Sequence, residues 1–418
     1  MTRTTLPKLR TYFILSLLLV VVSQHNLIAQ APLSSENLAY QYEPNLEIKM
    51  RWLFAKHPTE RLGTFYMEWQ VANGEYRKYD FAYQWTDDYT SQLAGTFTSF
   101  DIDSVTLNRN RSRMIWEWET EYTDTQKILV VRVINEISGN TYYYDLPVDH
   151  PLDFQSSSLI LRTTADSLPY FTPYISANTS IMATSTYLPQ DTIAYLYAYN
   201  TDFDPALPPM ATRTGDAPRS MEIIWMKEIA LGQPLPVHEE HLYLLQTDTS
   251  SLQGISFRYV NTAFPKFNRA ATLLEPTIYL SSRREQASML EQPNPKIALD
   301  EFWLGAALQS PNKARAAIRF YYRGITATNR KFTTYKEGWK TDMGMIMTIF
   351  GPPGEVYRTT EEEIWIYRIP PNQEQVTFVF EKIKNIFTRQ HYNLQRQPRY
   401  GELWQNQVDL WRKGLKQW

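Results

Sequence analysis

Residues 238–241 read His-Glu-Glu-His, a set of imidazoles and carboxylates of the kind that binds metals. Zinc hydrolase chemistry needs its two His at i and i+4 on a helix, with a Glu beside the first. Here the spacing is three, and Pro234 and Pro236 place the segment at a strand edge. Strand alternation then sends His238 and His241 to opposite faces, and no metal site is assigned. Asp101 and Asp103 stand two apart. On a strand they share a face, where a carboxylate pair can work as acid and base or hold calcium; a solvated face is the simpler reading. There is no G-x-S-x-G elbow and no glycine-rich phosphate loop, and the chain has 6 His and no Cys. Thiol nucleophiles, thiolate metal sites and disulfides are thereby excluded, and a histidine triad is hard to assemble. Arg315, Arg319, Arg323, Arg330 and Lys331 form a basic stripe. It suits an acidic partner or a lipid headgroup, but equally a solvated helix face. No catalytic residue, metal or cofactor follows from these sets.

The elements that must position such residues are mostly strands. The chain has 418 residues, enough for roughly two to four domains. It carries a net charge of -2, which argues against nucleic acid as a partner. Aromatics reach 14%, a β-leaning composition. From Leu46 the apolar period is two: Ile48, Met50, Trp52 and Phe54, then Phe65, Met67, Trp69 and Val71. Asn73-Gly74 is a strong hairpin signal, because both residues tolerate positive φ. The rhythm continues to about residue 146, which predicts an antiparallel, Ig-like β-sandwich over 36–150. Pro147 and Pro151 mark a boundary. A second strand series, from 159–162 through 193–199 to 277–280, predicts another sandwich over 154–290. Its proline-rich loop 201–220 is long enough to bind something or to move.

After residue 292 the period becomes 3.6. Leu299, Phe302, Trp303 and Ala306 mark one helix face. Ser310-Pro311 is an N-cap followed by proline at the first helical position, opening a second helix. Strands are expected at 345–350, 364–368 and 376–380, giving an α+β unit over 296–390. The tail 391–418 has a short helix near 403–415. The fold class is therefore mainly β, with two sandwiches followed by a helix pair and a β-meander.

The first 30 residues stand apart. Arg3, Lys8 and Arg10 precede an apolar run at 12–23, too short for a bilayer core that needs roughly 20 helical residues. Ala29 and Ala31 follow. The pattern is that of a secretory signal over 1–30, cleaved near Ala29, and no later run would span a membrane. The tripeptides at 103–105, 166–168 and 191–193 are similar to O-glycosylation acceptor sites of exported Bacteroidetes proteins.

Gly338-Trp339-Lys340-Thr341-Asp342, then Met343-Gly344 and Phe350-Gly351-Pro352-Pro353, resembles the GWxTD-domain proteins of Bacteroidetes and related bacteria. Residues 299–303 (LDEFW) and 363–367 (EIWIY) fit the same pattern, and the likeness runs over about 297–390. Met343 stands where that family often has Arg, and Gly354 where it often has Asp. The resemblance implies an exported protein with β domains ahead of the GWxTD domain, and no established reaction. Physically, Gly338 and Gly344 give backbone freedom, Trp339 is an apolar anchor, Thr341 and Asp342 fix a local turn, and Pro352 sets a turn after the expected strand. These residues, with Gly351 and Pro353, form a structural corner. The functional alternative has Trp339, Asp342, Glu355 and Trp365 lining a groove for peptide or glycan. The expected role is a non-catalytic protein of the periplasm or envelope that binds an envelope protein or surface polymer. The alternative is a carboxylate-based hydrolase of glycan or peptide.

Overall fold

The computed structural model describes residues 31–72, 74–148, 157–212, 221–370 and 373–416. The signal-like segment lies outside them. The first sandwich is built from β1 (Ile48–Lys56), β2 (Leu62–Val71), β3 (Tyr79–Thr86), β4 (Thr98–Ser99), the one-turn helix α1 (Ile102–Val105), β5 (Thr106–Arg109), β6 (Arg113–Glu121), β7 (Ile128–Asn135) and β8 (Thr141–Pro147). Two four-stranded antiparallel sheets, in orders β1-β2-β6-β5 and β4-β3-β7-β8, face each other. The period-two residues meet between them: the Phe81 ring lies 4.9 Å from both Trp69 and Trp116, with all three essentially inaccessible. Such offset aromatic contacts add to the area each ring buries.

Two expectations are corrected here. Asn73 lies outside the described residues. Gly74 does take a positive φ of 72°, but β2 and β3 belong to different sheets. A 3-10 turn at Tyr76–Lys78 swings the chain across the sandwich instead of closing a hairpin. Asp101 and Asp103 share no strand face. Asp101 caps α1 by accepting from the Ser104 amide at 3.4 Å, and Asp103 points to solvent near Arg109.

The second unit holds β9 (Leu159–Thr163), β10 (Tyr174–Ser176), β11 (Ile181–Ser185), β12 (Ile193–Tyr199), β13 (Ile223–Ala230), β14 (Leu242–Gln246) and β15 (Ile255–Val260). A five-stranded sheet, β10-β15-β14-β12-β13, covers the β9–β11 pair. The β10–β15 pairing is parallel. The strand expected at 277–280 is instead a 3-10 helix, Glu275–Tyr279, following α2 (Ala270–Leu274). Pro276 sits in its first turn, and Thr277 donates its hydroxyl to the Leu274 carbonyl at 2.6 Å. α3 (Arg283–Glu291) completes this helical run with a capping box between Ser282 and Glu285.

α4 (Pro295–Ala306) and α5 (Pro311–Phe332) are the expected helix pair. Beyond them the sequence reading fails at one element. Residues 345–350 are no strand but belong to α6 (Asp342–Phe350). All 9 residues of α6 are buried. A helix that is apolar on every side shows no 3.6 period, and a short apolar run then looks like a buried strand. Gly351, with φ 87°, ends α6, so Gly351-Pro352-Pro353 is a helix stop. A four-stranded antiparallel meander follows: β16 (Glu355–Arg358), β17 (Glu362–Ile369), β18 (Glu374–Lys382) and β19 (Tyr392–Leu394). α7 (Tyr400–Arg412) closes the core with Trp404 and Trp411. The amino-terminal residues also join this core: the Leu38 amide donates to the Val356 carbonyl at 2.8 Å, and the Val356 amide donates to Asn37 Oδ1 at 2.9 Å.

Two glycines make the turn into α6 possible. A Cβ on Gly344 would collide with the Gly338 carbonyl oxygen, and one on Gly338 with the backbone of Thr328. Alanine ordinarily favours a helix over glycine by about 1 kcal/mol, but the clash outweighs that gain. Gly344→Ala is expected to cost about 3 kcal/mol, read as a lowered urea midpoint; an unchanged midpoint would show that the backbone relaxes freely here.

Candidate functional site

The 338–342 segment is held entirely by its surroundings. The Gly338 amide donates to Thr333 Oγ1 at 3.1 Å and the Trp339 amide to Asn329 Oδ1 at 3.2 Å. Thr341 caps α6: its hydroxyl donates to the Gly338 carbonyl at 2.7 Å and accepts from the Gly344 amide at 3.0 Å. Asp342 accepts from the Leu394 amide at 2.9 Å and pairs with Arg396, whose side chain is 4% exposed. Arg396 also reaches the Leu207 carbonyl, and the Ala206 amide donates to the Lys340 carbonyl. The described part of the proline-rich loop, 201–212, is thus docked on the motif.

The four residues expected to line a groove do not converge. Trp339 and Trp365 are both 0% exposed and belong to the core. Trp365 donates its indole N–H to Glu363 at 2.7 Å. Glu355 pairs at the surface with Arg368, 2.7 Å away, and accepts from the Tyr357 hydroxyl. The guanidinium and the hydroxyl hold its carboxyl below the ordinary range. Asp342 alone of the four borders a large cavity. The physical reason is simple: large aromatics at the start of a helix and the centre of a sheet are worth more inside than on a wall. His238 is exposed, and His241 pairs with Glu239.

The cavity holds about 1530 Å³ where the three units meet. β1 supplies Lys49, Met50, Arg51 and Trp52 to one wall, and the end of α5 supplies Ala327, Arg330 and Lys331 to another. Residues 170–173, 202–207, 341–343 and 387–393 contribute further wall, as do Asp145, Arg358 and Glu363. The basic stripe expected on α5 therefore divides: Arg315, Arg319 and Arg323 face outward, whereas Arg330 and Lys331 face the cavity. Lys331 is open to the cavity space, yet crowded by protein. Its amine is pushed down to about 8 by burial and then by the nearby Arg358. Burial likewise pushes His391 down to about 4, with Lys336 adding to the effect.

Beside the cavity lies a buried charge network that the sequence reading missed. Arg358 on β16 pairs with Asp145 on β8 at 2.6 Å and with Glu363 on β17 at 2.7 Å. Tyr89 donates to Asp145 at 2.6 Å, and Tyr42 donates to Glu363. Burial opposes the Arg358 charge, but the two carboxylates more than compensate and hold it protonated. The available signal was a lone Asp inside the apolar strand TYYYDLP: a charge in a strand buried on both faces needs a partner.

A mainly β architecture closed by a helix–meander unit defines the class of this protein. Residues 241–413 match the model of the GWxTD domain, and the chain is a GWxTD domain-containing protein. The match is wider than the motif blocks: it starts at the head of β14 and ends just past α7. No curated protein and no solved structure matches the chain.

Arg358→Met removes the one cation touching two buried carboxylates. The expected loss is about 3–5 kcal/mol in urea unfolding, since each carboxylate is left without a counter-charge. A loss below about 1 kcal/mol would mean that the network behaves as though exposed.

Proposed function

We propose that this protein is an exported, non-catalytic binding component of the cell envelope, which holds an envelope protein segment or a surface polymer in the cavity between its three units. The cavity carries this reading. Its walls come from all three units, the usual setting for a ligand site, and at about 1530 Å³ it is larger than the roughly 300–1,000 Å³ of pockets for small molecules. The hydrolase alternative gains nothing from the geometry. Asp342 is consumed by Arg396 and a backbone amide, Glu355 by Arg368, and Asp101 by a helix cap. A general acid or base must reach the proton it moves, and these carboxylates are directed elsewhere. The export part rests on the basic, apolar and small-residue pattern of residues 1–30. Among the described residues no helix is long and apolar enough to cross a membrane.

Two measurements test the reading. In cells expressing the full chain, the mature protein is expected in the periplasmic fraction with its amino terminus just after Ala29; an intact leader on cytoplasmic protein would overturn export. Ala327 borders the cavity one turn before Lys331, so Ala327→Trp fills it. Retention of the folded protein on immobilised envelope polymer is expected to be lost in that variant. Undiminished retention would remove the cavity from the function.

A further inference from the structure

One part of the cavity wall, between β1 and the end of α5, is cationic. Lys49 and Arg51 stand two apart on β1 and so share a face, and Arg330 and Lys331 close α5 opposite them. Cations in the last helical turn complement the helix dipole, which accounts for Arg330 and Lys331 taken alone. It does not account for two further cations facing them. Burial, and then Arg330 and Arg51, lower the Lys49 amine, so the group repels itself across the space.

Anionic partners inside the protein balance this group only in part, since Glu363 and Asp145 support the Lys331 charge. Glu68 accepts from Arg113 and reaches Arg51 only at 3.4 Å. Lys49 donates to the Pro44 carbonyl. Lys331 rests 4.9 Å above the Tyr42 ring, and Arg330 has no ion pair among the described residues. Lys49 and Arg330 are thus left without a carboxylate partner among the described residues, and neighbouring cations without a counter-charge are costly unless one arrives. We propose that the cavity binds an acidic oligosaccharide, its carboxylate or phosphate groups seated between Lys49 and Arg51 on β1 and Arg330 and Lys331 on α5. This rests on the cavity being the binding site.

The rest of the wall favours a sugar chain over other anions. Trp52, on the other face of β1 from Lys49 and Arg51, also borders the cavity, with Arg389 5.1 Å from its ring. Asp202, Asp204, Gln390 and Asn393 can accept or donate to hydroxyl groups. The wall also carries apolar residues such as Leu53, Phe171 and Phe203, so a lipid is the occupant that vesicle binding would reveal. A small free anion would leave most of the volume unused.

The test is calorimetric titration of the full protein with oligogalacturonate, its neutral methyl ester, inorganic pyrophosphate, and phosphatidylglycerol vesicles. Oligogalacturonate is expected to bind, with affinity falling as salt rises. Methyl esterification, Lys331→Gln and Arg330→Gln are each expected to weaken binding by about tenfold or more, as for a lost charge-assisted hydrogen bond. Both variants should melt at or above the wild-type temperature, because repulsion is relieved. Equal binding of the ester, or no effect of either substitution, would overturn the acidic class. So would absence of binding by oligogalacturonate. Pyrophosphate or vesicles binding as tightly as the oligomer would overturn the sugar in favour of a small anion or a lipid. Acidic binding that survives Ala327→Trp would instead sink the cavity reading itself. Loss in that variant without any charge dependence would sink only the ligand class.

Discussion

Arg358 has to stay charged inside the protein, and much of the architecture follows from that requirement. Its partners are distributed: Asp145 ends the first sandwich, Glu363 belongs to the carboxy-terminal meander, and Tyr42 comes from the segment ahead of the first strand. Desolvating three charges is expensive, and their mutual attraction repays it only in good geometry with the remaining lone pairs satisfied. Tyr89, Tyr42 and the Trp365 indole supply those hydrogen bonds. Any slippage of the sandwich against the meander would strand a carboxylate. Non-directional apolar contact permits sliding, whereas this network admits one arrangement.

Fixing that arrangement also fixes the cavity. Lys331 is one residue from Phe332, which stacks on Tyr42 at 5.9 Å and lies near Trp365. The end of α5 is therefore anchored to the same cluster as Arg358. At its other side α5 is tied to the 338–342 corner through Thr333 and Asn329. The GWxTD segment reaches the cavity through Thr341 and Asp342. It takes no part in the cavity wall through Trp339, but it sets the direction in which α5 ends and so where Arg330 and Lys331 point. Met343, buried at 6% exposure, fits this mechanical role, since an apolar side chain there packs without needing a counter-charge.

Periodicity made most of the fold legible. Phe65, Met67 and Trp69 alternate because one face of β2 meets the opposite sheet, and the face of α4 bearing Phe302 and Trp303 is buried as its spacing requires. The failures have the same physical root. α6 is buried all round, so it has no polar side to mark a period. The 3-10 helix at Glu275–Tyr279 is set by Pro276 and by Thr277 bonding backward, signals too short to outweigh a β-like composition. At the site, Thr341 was legible as the residue that fixes the local turn, and Arg330 and Lys331 as basic residues of α5, whereas Asp342, expected to bond local amides, instead reaches Leu394 and Arg396 more than fifty positions away. The Arg358 network and the cationic face of β1 were not. Each depends on residues more than a hundred positions apart meeting, and a single strand's pattern carries no information about its distant partner.

The two kinds of charge in this protein answer to different constraints. Around Arg358 the anions outnumber the cation they touch, and every group is bonded. Lys331, close enough for Arg358 to lower its amine and for Glu363 and Asp145 to support it, brings the local sum back towards zero without forming an ion pair itself. Its charge is thus tolerated by the network while its amine stays free to face the cavity. Lys49 and Arg330 lack even that support, and for them the compensating charge has to come from outside the fold. A protein without disulfides gains no stability from such a face. Its retention makes physical sense as a cost borne for what enters the space between the units.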